Sequence, residues 1–164
     1  MNGEFSDRFV TFVCTGNTCR SPMAEKLFMH AIKAQEQPIC FLKAISAGIS
    51  AFDGSPPSPN AVKALTDCGL DISGHRSRSL SQKIVDQSIA IFCMTNVHRR
   101  VILQEFNVDA DNVHLLRDFM PIKDKDIPDP FGQSLEAYKV CRDNIVEAIP
   151  SVINFLKNKF LQPK

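Results

Sequence analysis

The chain has 164 residues and a formal charge of +1 at pH 7, and a chain of this length buries a substantial core without metals or disulfides. Basic and acidic residues are mixed, so we expect no nucleic-acid partner. No apolar stretch approaches the ~20 residues that cross a bilayer, so we expect no membrane span and no export signal. The six cysteines indicate reduced thiols more than a secreted disulfide framework. We therefore expect one cytoplasmic domain over residues 1–164.

Short apolar runs alternate with amphipathic segments along the chain. The run from Phe9 to Val13 predicts a buried strand that ends at Cys14. Ser21 is then a predicted helix N-cap with Pro22 at the first helical position. The residues between them form a short loop between a strand and a helix.

The remaining predicted elements continue this alternation: a strand over Cys40 to Ala47, a helix over Asn60 to Cys68 that Gly69 closes, a strand over Ser88 to Met94, a helix over about Asn96 to Phe106, and a strand over Asn112 to Leu116. A long loop from 117 to 132 precedes a last helix, which Pro150 should kink or split. Alternating β and α units favour a three-layer α/β fold with a parallel sheet. Ligands of such sheets bind at the carboxyl ends of the strands, where Cys14 lies.

The loop CTGNTCRSP has the composition of an anion cradle. Backbone N–H groups of a tight loop that opens a helix point inward, and the helix dipole adds partial positive charge. Gly16 and Asn17 suit the bend, because both accept positive φ better than most residues. Arg20 offers two parallel donors to phosphate oxygens. The same positive field favours the thiolate of Cys14, which Ser21 is placed to hydrogen-bond.

Other interpretations of this loop are weaker. A cysteine at a strand end is more often a packing residue than a nucleophile. Cys14 and Cys19 could be half of a metal site, but no second close pair of cysteines or histidines completes it. A nucleotide-binding loop would end in Gly-Lys-Ser/Thr, whereas this one ends in Cys-Arg-Ser. The strand, the spacing and the helix together favour a phosphate site without a metal.

This loop closely resembles the signature loop of the low-molecular-weight protein phosphatases, a family of small cysteine-dependent tyrosine phosphatases. The similarity continues in order through Met23-Ala24-Glu25, Ser46-Ala47-Gly48, Gly69, His75, Arg78, Cys93-Met94 and Asp129-Pro130-Phe131-Gly132. It implies an α/β/α fold with a four-stranded parallel sheet, no metal or organic cofactor, and a phosphorylated protein as substrate. We expect the protein to be a monomer.

The resemblance also implies roles for single residues. Cys14 corresponds to the nucleophile, Arg20 to the phosphate-binding arginine and Asp129 to the general acid. Without the resemblance, Asp129 and Pro130 would be interpreted as an ordinary Asp-Pro turn. The predicted phosphate-binding residues are Thr15, Gly16, Asn17, Thr18, Cys19 and Arg20. The residues expected to support the loop are Asn17, Ser21, Ser46 and His75, and those expected to flank the substrate are Phe52 and Phe131 together with Thr18.

The resemblance leaves the substrate open. Thr18 stands where many family members have a bulky aliphatic residue, and like Thr15 it resembles the protein-arginine phosphatase branch, so phosphoarginine is slightly favoured over phosphotyrosine. Arsenate reduction is an alternative chemistry on this fold, but it needs two further cysteines on a mobile segment, and none follows Cys93. A phospho-binding module without turnover would be expected to lose Cys14 or Asp129.

Several further residues carry smaller predictions. Cys19 is a candidate partner for Cys14 in a reversible disulfide. Thr95 and Pro128 depart from common family usage, which is often acidic at both positions. The residues without an expected role in the site are His30, His98, His114, Asp118, Asp124 and Asp126, the three aspartates being interpreted as solvated loop charges.

Overall fold

The computed structural model describes residues 8–161, with side chains through residue 159. The strands are β1 (Phe9–Cys14), β2 (Ala44–Gly48), β3 (Ser88–Cys93) and β4 (Val113–Leu115). The helices are α1 (Arg20–Ile32), α2 (Pro59–Thr66), α3 (Gln82–Gln87), α4 (Asn96–Glu105) and α5 (Leu135–Leu161), and two short 3-10 helices cover Ile39–Phe41 and Ala110–Asn112.

The four strands form one parallel sheet in the order β2-β1-β3-β4. The two central strands are apolar along almost their whole length, as expected for strands covered by helices on both faces. The predicted α/β class with a four-stranded parallel sheet is confirmed. Cys14 is the last residue of β1, so it lies at the carboxyl edge in the middle of the sheet.

Alternate residues of β1 face two separate cores. On one face, the Phe12 ring lies 5.3 Å from the Phe28 ring of α1 and 5.9 Å from the Phe92 ring of β3. Residues of α2 and α5 complete this core. On the other face, Val13 packs in a smaller core with residues of β3, β4, α3 and α4, Ile102 among them. The sheet is therefore the middle of three layers.

Some element boundaries differ from the prediction. Helix α1 begins at Arg20 after Cys19, and no side chain caps it, so the assignment of Ser21 as N-cap is wrong. The second strand begins at Ala44 and not at Cys40, because Cys40 belongs to the 3-10 helix Ile39–Phe41. Helix α3 was not predicted at all.

Helix α5 runs through Pro150 without a break, so the predicted split does not occur. Pro150 is exposed, whereas Ile149 and Val152 beside it are buried in the larger core. The apolar face thus continues on both sides of the proline, and the backbone carbonyl that loses its donor can face water. Within residues 8–161, none of the helices has both the length and the apolar character that a membrane span requires.

Gly48 brings β2 against the loop that follows β1. A Cβ atom on Gly48 would collide with the carbonyl oxygen of Thr15 and would lie 3.1 Å from the backbone nitrogen of Asn17. The backbone nitrogens of Ile49 and Ser50 donate to the carbonyls of Cys14 and Thr15 at 3.0 Å each. A residue without a side chain is therefore required where the loop is bound to the sheet.

Candidate active site

The loop between β1 and α1 surrounds a pocket of about 180 Å³. The loop leaves the sheet at Cys14 and enters α1 at Arg20, so its backbone lies at the N-terminus of a helix. The pocket is lined by Cys14, Thr15, Gly16, Thr18, Cys19, Arg20, Asp129 and Phe131. In the part of the chain that the structure describes, no three His, Cys, Asp or Glu residues are grouped as metal ligands.

The Cys14 thiol has a hydroxyl neighbour. The sulfur lies 3.0 Å from Ser21 Oγ, and both residues are buried. Ser21 Oγ also accepts a hydrogen bond of 2.8 Å from Asn17 Nδ2, so one of its lone pairs is occupied. The Ser21 hydroxyl hydrogen can then be donated to a thiolate at Cys14.

Asn17 is fully buried and has φ of 56°, in the left-handed region. Gly16, which suits such a conformation equally, does not have positive φ. The side-chain oxygen of Asn17 accepts from the backbone nitrogen of Arg78 at 2.9 Å. His75 Nε2 donates to the backbone oxygen of Asn17 at 2.8 Å. Asn17 therefore joins the loop to a segment that is distant along the chain.

Ser46 lies on β2 opposite Phe12 of β1. Its hydroxyl donates to Glu25 Oε2 at 2.6 Å. This bond connects β2 to the first turns of α1, which follows the loop after β1. The structure therefore brings Asn17, Ser21 and His75 into direct contact with the loop backbone or its side chains, and Ser46 into contact with the helix.

Arg20 lies under the pocket and is only 3% exposed. Its NH2 nitrogen forms an ion pair with Asp129 Oδ2 at 2.9 Å, and its NH1 nitrogen donates to the backbone oxygen of Ile127 at 3.0 Å. The third nitrogen, Nε, is buried and has no partner among the described residues. A buried N–H without an acceptor is costly, and an anion in the pocket can supply one.

Asp129 lines the same pocket as Cys14 and lies on the loop before α5, with its side chain 46% exposed. Its second oxygen accepts from the backbone nitrogen of Phe131 at 3.1 Å. The turn Asp129-Pro130-Phe131 thus orients the carboxylate. Phe131 lines the pocket and is 69% exposed, whereas Phe52 is 87% exposed and is not among the residues that line it.

The three loop aspartates that were interpreted as solvated charges are not buried, and each also accepts a backbone hydrogen bond, which the sequence did not predict. Asp118 accepts from the backbone nitrogen of Leu115, Asp124 from that of Asp126, and Asp126 from that of Asn96. These bonds shape the loop that carries Asp129.

Thr18 and Cys19 lie side by side on the pocket wall. The backbone oxygen of Thr18 accepts from the backbone nitrogen of Ser58 at 2.9 Å, which fixes this part of the loop against the start of α2. Cys19 Sγ is 2.9 Å from Ser58 Oγ and 3.3 Å from the Tyr138 hydroxyl. Burial, together with the bond to Cys19, raises the pKa of Tyr138 to about 12. All six cysteines are free thiols, and the disulfide between Cys14 and Cys19 stays a prediction.

His98 was not predicted to belong to the site. It lies in the first turn of α4, is 3% exposed, and its Nε2 is 2.9 Å from Thr15 Oγ1. Burial, and next the positive charge of Arg20, lower the pKa of His98 to about 4. Its Nδ1 accepts from the backbone nitrogen of Thr95, the N-cap of α4. The sequence signal that could have drawn attention to His98 is a polar side chain three residues after Thr95. This pattern indicates the start of a helix more than a functional site.

Enzymes that transfer a phosphoryl group through cysteine require a thiol facing a phosphate cradle and an acid on the opposite side. In this chain one loop supplies the thiol and the cradle, and a second loop supplies the carboxylate. The fold and the site thus define a phosphoprotein phosphatase of the cysteine-dependent class. The family model described as low molecular weight phosphotyrosine protein phosphatase matches residues 9–162, and the chain belongs to this family.

Some of the similar proteins are named protein-arginine phosphatases and others protein tyrosine phosphatases. A protein-arginine-phosphatase from Geobacillus stearothermophilus is 35% identical over 150 residues, covering 92% of this chain and 97% of the relative. A protein-arginine-phosphatase from Bacillus subtilis is 33% identical over 148 residues, covering 90% and 96%. The crystal structure of a low molecular weight protein tyrosine phosphatase from T. tengcongensis has a TM-score of 0.82 and 36% identity, covering 90% of this chain and 98% of that one.

Proposed function

We propose that the protein hydrolyses phosphorylated arginine side chains of proteins, with phosphotyrosine as the second substrate, through a phosphocysteine on Cys14. The observation that carries the proposal is that Cys14, Thr18, Arg20 and Asp129 line one pocket of about 180 Å³. The protein-arginine phosphatases among the relatives support the choice of substrate.

The first step forms a bond between Cys14 sulfur and phosphorus while the bond from phosphorus to the leaving nitrogen or oxygen breaks. The leaving group takes a proton from Asp129. In the second step Asp129 accepts a proton from water, whose oxygen bonds to phosphorus as the sulfur departs. The Ser21 hydroxyl, 3.0 Å from the sulfur, stabilises the thiolate before the first step and after the second. Inorganic phosphate then leaves.

Substrate binding exchanges the partners of Arg20. In the structure the guanidinium is paired with Asp129, and its buried Nε has no acceptor among the described residues. A phosphoryl group over Cys14 offers oxygens to Arg20 and competes with the carboxylate for it. The negative charge of the phosphoryl group also favours uptake of a proton by the displaced carboxyl group. Arg20 thus couples phosphate binding to the release of Asp129 as an acid.

Thr18 supports phosphoarginine as the substrate. A guanidinium group has only N–H donors, and it needs acceptors when it enters a pocket. The Thr18 hydroxyl and the carboxyl group of Asp129, which can accept through its carbonyl oxygen even when it is protonated, lie on the wall of this pocket. An aliphatic residue at position 18 would offer a phosphotyrosine ring an apolar contact but would leave a guanidinium N–H unpaired.

The test is a paired turnover assay in which two peptides differ only in carrying phosphoarginine or phosphotyrosine. We expect the higher kcat/KM on the phosphoarginine peptide. A higher value on the phosphotyrosine peptide would refute the choice of substrate but not the phosphatase chemistry. No turnover of either peptide would refute both.

Arsenate reduction is not favoured by the surroundings of Cys93. Cys93 is the fully buried last residue of β3, and burial raises the pKa of its thiol. The segment after it enters α4 at Asn96 and carries no further cysteine. A relay through disulfides needs accessible thiolates, which this region does not provide.

We also propose that the protein acts as a single-domain monomer in the cytoplasm. The six free thiols support a reducing compartment. The family match over residues 9–162 supports one domain. Sedimentation equilibrium and cell fractionation test the two statements separately: a dimer at assay concentrations contradicts the first, and an extracytoplasmic location contradicts the second.

A further inference from the structure

The His98 imidazole has a defined tautomer. Its Nδ1 accepts a hydrogen bond of 3.2 Å from the backbone nitrogen of Thr95 and lies 3.1 Å from the Thr95 hydroxyl, which can also donate to it, so we assign Nδ1 no proton. Because burial lowers the pKa of His98 to about 4, the ring is neutral at pH 7 and its one proton lies on Nε2. His98 Nε2 therefore donates to Thr15 Oγ1 over 2.9 Å.

This bond determines what Thr15 can offer to a ligand. A hydroxyl oxygen has two lone pairs and one hydrogen. With one lone pair occupied by the imidazole N–H, the Thr15 hydrogen is left to point away from His98. Thr15 is exposed, lines the pocket and follows Cys14 directly in the chain. The free hydrogen can therefore be directed into the pocket.

We propose that His98 is a positioning residue that turns the Thr15 hydroxyl into a hydrogen-bond donor to an oxygen of the phosphoryl group. This inference rests on the proposed function, since it assigns a further phosphoryl contact to the same pocket. Thr15 is the residue that touches the substrate, and His98 acts only through it. A neutral imidazole suits this role, because it orients the hydroxyl without adding a charge beside Arg20.

The position of His98 between α4 and the loop after β1 also explains why this histidine is buried. The ring connects the first turn of α4 to the phosphate-binding loop, two elements that are far apart in the sequence. Thr95 caps α4 by accepting a hydrogen bond from the backbone nitrogen of His98. The His98 side chain thus bonds to the N-cap of α4 through Nδ1 and to the loop through Nε2, and these two bonds fix the orientation of the ring.

The test is a double-mutant cycle of Thr15→Val and His98→Asn, read as kcat/KM on the better of the two phosphopeptides. Asparagine can replace Nδ1 as the acceptor for Thr95 but cannot reach Thr15. We expect each single substitution to lower kcat/KM by about tenfold, and the double variant to lose no more than either alone. A purely structural role for His98 would make His98→Asn lower kcat/KM by the same factor whether position 15 carries threonine or valine. The two losses would then multiply in the double variant, and this result would overturn the proposal.

The matched control is His98→Gln. Its amide nitrogen can replace Nε2 as the donor to Thr15, while the acceptor for Thr95 is lost. We expect His98→Gln to retain most of the kcat/KM that His98→Asn loses, even if both variants are less stable than the wild type. Equal losses in the two variants would contradict a role through Thr15.

A measurement on the unmodified protein does not depend on folding of the variants or on turnover. Nitrogen NMR of labelled His98 at pH 7 should show a protonated Nε2 and an unprotonated Nδ1. Protonation of Nδ1 alone, or of both nitrogens, would overturn the inference even if the phosphatase activity is established. Absence of turnover with the expected tautomer would instead refute the proposed function.

Discussion

Asn17 offers a quantitative test of how the loop between β1 and α1, the proposed phosphate-binding loop, holds its shape. Its side chain donates to Ser21 and accepts from the backbone nitrogen of Arg78, and its φ of 56° is left-handed. Asn17→Ala removes both side-chain bonds, at about 1 kcal/mol each, and keeps a Cβ in a conformation that costs roughly 1 kcal/mol or more. Asn17→Gly removes the same bonds without the left-handed strain.

We therefore expect Asn17→Ala to lower the free energy of unfolding by roughly 3 kcal/mol and Asn17→Gly by about 2 kcal/mol. The assay is urea unfolding of both variants and the wild type, together with inhibition by inorganic phosphate as a measure of binding. Both variants should bind phosphate more weakly, because the Ser21 hydroxyl and the loop backbone lose their support. A glycine variant less stable than the alanine variant, or wild-type phosphate binding in both, would refute this reasoning.

Three further predictions follow from the site. Asp129→Asn should lower the rate on a phosphopeptide by ~10²- to 10⁴-fold, with a much smaller loss on an aryl phosphate whose leaving group needs no proton, and equal losses would place the acid elsewhere. Thr18→Ile should shift the ratio of kcat/KM values from phosphoarginine toward phosphotyrosine, and an unchanged ratio would remove Thr18 from the specificity argument. Because the pKa of His98 is lowered from 6.5 to about 4, the unfolded chain binds the proton first as the pH falls. His98 should therefore make the wild type lose roughly 3 kcal/mol of unfolding free energy between pH 6.5 and pH 4. The His98→Gln variant should lack this contribution of His98 to the pH dependence. If the difference in unfolding free energy between the wild type and His98→Gln does not change with pH, the prediction is contradicted.

Local sequence patterns predicted those parts of the structure that local interactions determine. The apolar run before Cys14 and the small polar residues after it specify a strand, a tight loop and a helix, and the structure has all three in that place. The contact between Cys14 and Ser21 could also be predicted, because the two residues flank the same short loop. Asp129 lies far from them in the sequence, and only the family resemblance indicated it.

Contacts between distant segments were not predicted by local sequence patterns. His98 reaches Thr15 across the packing of α4 against the sheet, and nothing in the residues around His98 specifies that neighbour. Pro150 is a strong local signal for a break, but burial of the apolar face of α5 on both sides of it outweighs that signal. Ser46 matched the family pattern, yet which group its hydroxyl contacts depended on the position of Glu25 on α1.

The central claim is that the phosphoryl group is transferred to Cys14, and trapping the intermediate tests it most directly. The Asp129→Asn variant, whose carboxamide cannot activate water, is mixed with an aryl phosphate that needs no acid and quenched on the millisecond scale. Mass spectrometry of the digested protein should then locate one phosphoryl group on Cys14, after a burst of product equal to the enzyme concentration. A phosphoryl group on another residue, or undiminished turnover by Cys14→Ser, would contradict the account.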